Sequence, residues 1–126
     1  MFGWFRHKKE LKDHLRQTKT VYIKGIRFEI RRLNVLDYAS GAETIRRIYD
    51  TYSAKKELQP EEQQSVLKKV RAHYADAMLA AVVRPILTRD GSGESVGIDE
   101  IFLDWELAEK LYEEIIGFTY GKKKLI

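Results

Sequence analysis

Residues 20–30, Thr-Val-Tyr-Ile-Lys-Gly-Ile-Arg-Phe-Glu-Ile, alternate apolar and polar on both sides of Lys24-Gly25, and this constrains the chain more than any other stretch. Side chains of a strand alternate between its faces, so a slip of one residue would turn the whole apolar set outward. With Lys24 and Gly25 as the turn, Ile23 falls opposite Ile26 and Val21 opposite Phe28. Tyr22 then faces Arg27, and Thr20 faces Glu29. Each arm has one apolar face, and the two faces coincide. The spacing predicts a two-stranded antiparallel hairpin. Lys-Gly is a weaker turn than Asn-Gly, so a longer loop is the competing arrangement.

The rest of the chain reads as helices. Residues 4–17 form a short one, with Trp4, Leu11 and Leu15 on a narrow apolar stripe among Lys and Arg. Asn34 is placed as an N-cap with Asp37 in the first turn, opening a helix to about Tyr52. Its stripe is Leu36, Tyr38, Ala42, Ile45, Ile48, Tyr49 and Tyr52, and Arg46 and Arg47 point away from it. Residues 53–59 are a polar linker. Pro60-Glu-Glu is a strong helix start, and Val66, Val70, Tyr74, Ala77, Met78 and Ala81 carry the stripe toward Pro85, which should end or kink the helix. Residues 77–83 are apolar nearly all round, so this segment should be the most buried. Residues 89–97 form a Gly- and Ser-rich loop, and residues 98–103 a short apolar connection of about one helical turn. Asp104 caps a last helix bearing Trp105, Ala108, Leu111, Tyr112, Ile115 and Phe118, which Gly121 stops.

The expected fold is therefore α+β and mostly α: an N-terminal helix, one β-hairpin, then three helices packed around a single core. At 126 residues one domain is the natural size. We divide the chain into a basic, aromatic extension (residues 1–19), a globular domain (residues 20–121) and a basic tail (residues 122–126). The absence of cysteine excludes disulfides, thiolate nucleophiles and Cys-type metal sites, and fits a cytoplasmic protein. No apolar run approaches the length that spans a bilayer. The aromatics at the N-terminus precede the basic residues, the reverse of a signal peptide, so secretion is not expected.

The net charge of +4 is unevenly placed: residues 1–19 carry +4, residues 20–121 carry −3 and residues 122–126 carry +3. A basic chain raises nucleic acid as a partner. Confinement of the basic charge to the two ends weakens that reading, because terminal lysines commonly serve solubility or a helix end.

Several motifs tempt and fail. Gly93-Glu-Ser-Val-Gly97 matches the nucleophile elbow, but His7, His14 and His73 all precede Ser95, and the chain has too few strands for that sheet. Gly91-x-Gly93-x-x-x-Gly97 lacks the βαβ surroundings of a dinucleotide turn, and Gly117-x-x-x-Gly121-Lys122 ends a helix instead of starting one. An EF-hand register from Asp90 puts Ser95 and Ile101 where Gly and Glu are required. The three histidines share no ligand spacing. Tyr38, Tyr49 and Tyr52 beside Arg46 and Arg47 could stack on nucleic acid, but tyrosines at helical spacing more often edge a core. We therefore assign no catalytic residue, no metal ligand, no cofactor and no small-molecule substrate.

Phe2, Trp4 and Phe5 are harder to dismiss. Three large aromatics at one end are costly to expose, so they dock on the core, meet a protein partner, or lie on an anionic membrane. Together with Leu11 and Leu15 they are the candidate partner-binding residues.

Val21-Tyr-Ile-Lys-Gly-Ile-Arg-Phe-Glu-Ile-Arg-Arg-Leu-Asn34 with the Asp37-containing helix resembles the opening of tail assembly chaperones of long-tailed phages and prophages. Ile98-Asp-Glu-Ile-Phe-Leu-Asp-Trp-Glu-Leu-Ala-Glu-Lys-Leu-Tyr112 and its ending over residues 115–120 are similar to that family too. The resemblance covers roughly residues 21–124, rests on the pattern of apolar and polar residues, and does not extend to residues 1–18. It implies a small, mostly helical, non-enzymatic protein of the host bacterial cytoplasm, absent from the mature virion. Such a chaperone takes part in viral tail morphogenesis, associating with the tape measure protein and helping to recruit tail tube protein; self-association along that template would suit repeated copies. A long helical partner would be bound by burial of apolar stripes. The alternative is a small basic-ended nucleic-acid-binding module; a membrane-peripheral factor comes third.

Overall fold

The computed structural model describes residues 2–34, 43, 46, 47, 50 and 59–121. Helix α1 (Phe2–Leu15) leads into β1 (Thr18–Ile23) and β2 (Ile26–Arg31). These pair antiparallel in the register anticipated, with Val21 opposite Phe28 and Ile23 opposite Ile26. Lys24 and Gly25 form a two-residue turn with φ of 52° and 80°. Both values are positive, as the twist of a tight hairpin requires. The apolar face of the hairpin, Val21, Ile23, Phe28 and Ile30, is buried, and the opposite face, with Thr20, Tyr22 and Arg27, is exposed.

Of the helix expected from Asn34 to about Tyr52, residues 43, 46, 47 and 50 are helical. Arg46 and Arg47 are exposed and pair with Glu43 at 3.7 and 3.4 Å. The apolar stripe assigned to that helix, from Leu36 to Tyr52, lies outside the described residues.

Helix α2 (Pro60–Ala81) starts at the proline. The Gln59 N–H donates to Glu62 Oε1 at 3.3 Å, which satisfies one donor at the helix entrance. The helix does not run on toward Pro85. It ends at Ala81, and Val82–Arg84 form β3, adding a third strand to the hairpin in the order β1-β2-β3. The reason is local and tertiary together. Val82 and Val83 are β-branched and favour the strand, and Arg84 precedes a proline and is pushed to extended backbone. The free side of β2 supplies the ladder, with Ile30 opposite Val82, and Arg31 Nε donates to the Ala80 carbonyl at 2.7 Å. Within residues 77–83, Ala77, Met78, Ala81 and Val82 are buried, whereas Ala80 is exposed.

Two short strands, β4 (Leu87–Thr88) and β5 (Val96–Gly97), pair in parallel around the glycine loop. Helix α3 (Ile98–Ile101) is the expected single turn, and α4 (Trp105–Tyr120) the last helix. Asp104 caps α4, accepting from the Leu107 N–H at 3.1 Å; Gly121 ends it at φ 80°. Helix α4 covers the hairpin, and α2 packs against α4. The result is a sheet on one side and helices on the other, with Phe28, Ile30, Met78, Leu111 and Ile115 fully buried between them. Each contributes roughly 1.5–3 kcal/mol by leaving water.

Candidate partner-binding surface

Helix α1 carries the candidate residues. Lys12 and His14 in its last turn suit the negative end of the helix dipole. Its other charges keep it wetted, yet Leu11 and Leu15 are 57% and 60% exposed. Two leucines one turn apart share a face, so they form a short apolar strip open to solvent. Phe2, Trp4 and Phe5 belong to the same helix, and their side chains lie outside the described part.

Arg32, which the sequence does not single out, joins α1 to the body. Its guanidinium donates to the His14 carbonyl at 3.1 Å and to Gln17 Oε1 at 3.3 Å. The same group lies over the Phe118 ring of α4, 4.3 Å from the centroid. One cation thus receives the carbonyl end of α1 and stacks on the last helix, an arrangement suited to the planar, many-donor guanidinium. Nearby, the Leu33 N–H donates to Thr119 Oγ1 at 3.0 Å, fixing the chain after β2 against α4.

At the far end of α4, Lys24 at the hairpin tip holds Asp104 at 2.8 Å and Glu106 at 3.5 Å. The hydrogen bond with Asp104 raises the Lys24 pKa and lowers that of Asp104. Glu106 is lowered first by Lys110 and then by Lys24. These exposed pairs orient the turn and add little to stability.

A second apolar area escaped the sequence reading. Leu67, Lys68, Arg71 and Trp105 line an open hollow of about 380 Å³. Leu67 is 56% exposed. Arg71 pairs with Asp99 and stands 4.9 Å from the centre of the Phe102 ring. Trp105 also stacks on Tyr74, which stacks on Tyr112 in turn, at 5.7 and 4.1 Å between ring centres. His73 Nε2 lies 2.7 Å from the Tyr112 hydroxyl. Burial lowers the His73 pKa, and the negative charge of Asp76 partly offsets this. Leu67 stands beside the stripe formed by Val66 and Val70, and helical periodicity gives a residue off the stripe no role.

Ser95 has no histidine beside it among the described residues. Its hydroxyl donates to the Ser92 carbonyl at 2.5 Å and lies 2.7 Å from Thr88 Oγ1. Asp90 accepts from the Ser92 N–H at 3.0 Å, and this bond is the main reason its pKa is lowered. The Asp90 and Ser95 side chains therefore close on the loop's own backbone, while Arg89 reaches out to Asp76 of α2 at 3.0 Å. Among the described residues no three His, Asp or Glu side chains gather as a metal site, and no helix is long and apolar enough to cross a membrane. No family model, no curated protein and no solved structure matches the chain.

Proposed function

We propose that this protein is a tail assembly chaperone of a long-tailed phage or prophage. In this reading it is a non-enzymatic binding protein of the host cytoplasm that associates with the tape measure protein during tail morphogenesis and is left out of the virion. The observation that carries the binding part is the exposed Leu11–Leu15 strip on α1. It stands beside a body whose buried core runs from Val21 to Ile115, and among the described side chains none from α1 belongs to it. An amphipathic helix with an uncovered apolar strip is a natural partner for another helix, and its lysines and arginines keep it soluble until the partner arrives. The family assignment itself rests on the resemblance of residues 21–124 to such chaperones.

The basic face of α1 favours one competing reading, a nucleic-acid-binding module. Removal of residues 1–16, which spares β1, separates the two. The expected outcome is a folded body with nearly unchanged melting and lost binding to a tape-measure helix, with little salt dependence. If the truncated protein binds that helix as well as the full chain, α1 is not the binding element. If instead the full chain binds DNA or RNA in a manner that collapses with added salt, and truncation removes it, the alternative is correct.

A further inference from the structure

We propose that β1 is the interface for a second copy of this chain, joining two sheets edge to edge about a two-fold axis at Thr20. The proposal does not depend on the function proposed above, because it uses the outer edge of β1 and not the strip on α1. The sheet order β1-β2-β3 leaves β1 at one edge over its full six residues. The two-residue turn makes Ile23 and Ile26 a hydrogen-bonded pair, and alternation along the ladder makes Val21–Phe28 and Lys19–Ile30 the next such pairs. The N–H and C=O groups of Thr18, Thr20 and Tyr22 therefore face away from β2. Among the described residues no strand pairs with them.

Natural sheets blunt such an edge with proline, a bulge or charge. Here the outward row is Thr18, Thr20 and Tyr22, with neither charge nor proline, and the register to β2 is unbroken. Tyr22 is 69% exposed. The only charge on the edge strand, Lys19, lies on the other face and pairs with Glu114 at 3.6 Å. Arg32 draws the end of α1 toward β2 and α4, away from this edge. The opposite edge of the sheet is unlike it: β3 has three residues, its register to β2 shifts between Glu29 and Ile30, and Arg84 is paired across to Glu29.

A second copy is the fitting occupant because the strand is complementary to itself. Any antiparallel register centred on a residue keeps like faces together, and of these the one centred on Thr20 alone opposes all three outward residues to outward residues. It sets Thr20 against Thr20 and Thr18 against Tyr22 of the other copy, an uncharged threonine–aromatic row with roughly six ladder hydrogen bonds. The nearest like charges on that face, the two Glu29 side chains and Arg27 of each copy with Arg31 of the other, stand about three strand spacings apart, ~14 Å. That exceeds the screening length of ~8 Å at physiological ionic strength.

The chain has no cysteine, which makes the test clean. Sedimentation equilibrium of the full chain from micromolar to millimolar concentration should show a monomer–dimer equilibrium. Thr20→Pro removes an outward donor and no bond to β2, so circular dichroism should be preserved while dimerisation weakens at least about tenfold. Thr20→Cys places two thiols across the axis with Cα atoms about 5.5 Å apart, within bridging distance, and should crosslink under mild oxidation. Thr18→Cys puts them about 14 Å apart and should not. A wild-type chain that stays monomeric throughout overturns the proposal. So does a dimer in which Thr18→Cys crosslinks as well as Thr20→Cys, or in which folded Thr20→Pro associates normally.

Discussion

Met78 gives the most direct test of how this core is held together. It lies on α2, has no solvent exposure, and belongs to the same buried cluster as Phe28, Ile30, Leu111 and Ile115. Met78→Ala removes the thioether and leaves a void whose walls are on a sheet and two helices. Such large-to-small changes cost about 2–5 kcal/mol, more where the site cannot collapse. Neighbours already buried on regular elements have little room to move inward, and Ala81 and Ala108 in the cluster are too small to fill the space. The upper half of the range, about 3–5 kcal/mol, is therefore expected. That is a large share of the roughly 5–15 kcal/mol that holds a domain together. At about 4 °C per kcal/mol for a chain of this size, the melting temperature should fall by ~12–20 °C. Met78→Leu keeps the volume and should cost less than about 1.5 kcal/mol. Leu67→Ala, on the same helix but 56% exposed, should stay within about 0.5 kcal/mol. Thermal melts of the three variants decide the matter. If Met78→Ala melts no earlier than Leu67→Ala, then α2 does not bury Met78 against the sheet and α4, and the layer arrangement is wrong.

Two further outcomes follow from particular residues. Gly91 has φ of 69°, and an added Cβ would sit 2.9 Å from the Gly97 backbone nitrogen, so Gly91→Ala should destabilise by about 1–3 kcal/mol, whereas Gly93→Ala, where nothing lies within 4 Å of an added Cβ, should be milder in a urea titration. His73 has its pKa lowered by burial, so the unfolded chain takes up the proton first: stability should be full above the ordinary histidine pKa and should be lost as pH falls through it toward the folded value. The fall in urea midpoint on going from neutral to mildly acidic pH should shrink in His73→Gln, and an equal fall in both proteins would refute the assignment.

Much of the fold was legible because its signals are local. The register of the hairpin follows from alternation around Lys24-Gly25, and the start of α2 from Pro60-Glu-Glu. The two ends of α4 follow from Asp104 and Gly121. The third strand was not legible in the same way. Residues 77–83 are apolar almost without interruption, and an apolar run reads equally well as buried helix or buried strand. What decides between them at Val82 is the open side of β2, a partner some fifty positions earlier in the chain. The parallel pair β4 and β5 is shorter still, and two residues carry no periodicity. Its closure depends on Gly91 and Gly97 approaching backbone to backbone, a contact that glycine composition suggests and spacing alone cannot place.

The candidate surface divides along the same line. Leu11 and Leu15 are visible in sequence because their spacing marks one face of a helix, and at 57% and 60% exposure most of that surface stays open to solvent. Arg32 is invisible for the opposite reason: Arg31 and Arg32 are adjacent arginines, and sequence gives no ground for separating them. Backbone geometry separates them. Successive residues of extended chain point to opposite sides, so Arg31 turns to the Ala80 carbonyl of α2, while Arg32 turns to α1 and the Phe118 ring. Under the function proposed above, an apolar strip kept available to a partner cannot be fixed to the body by its own apolar packing, because packing would bury it. A cation bonded to the carbonyl end of the helix anchors α1 through its backbone and leaves Leu11 and Leu15 uncovered. On that proposal the polar tether and the exposed strip are two sides of one requirement.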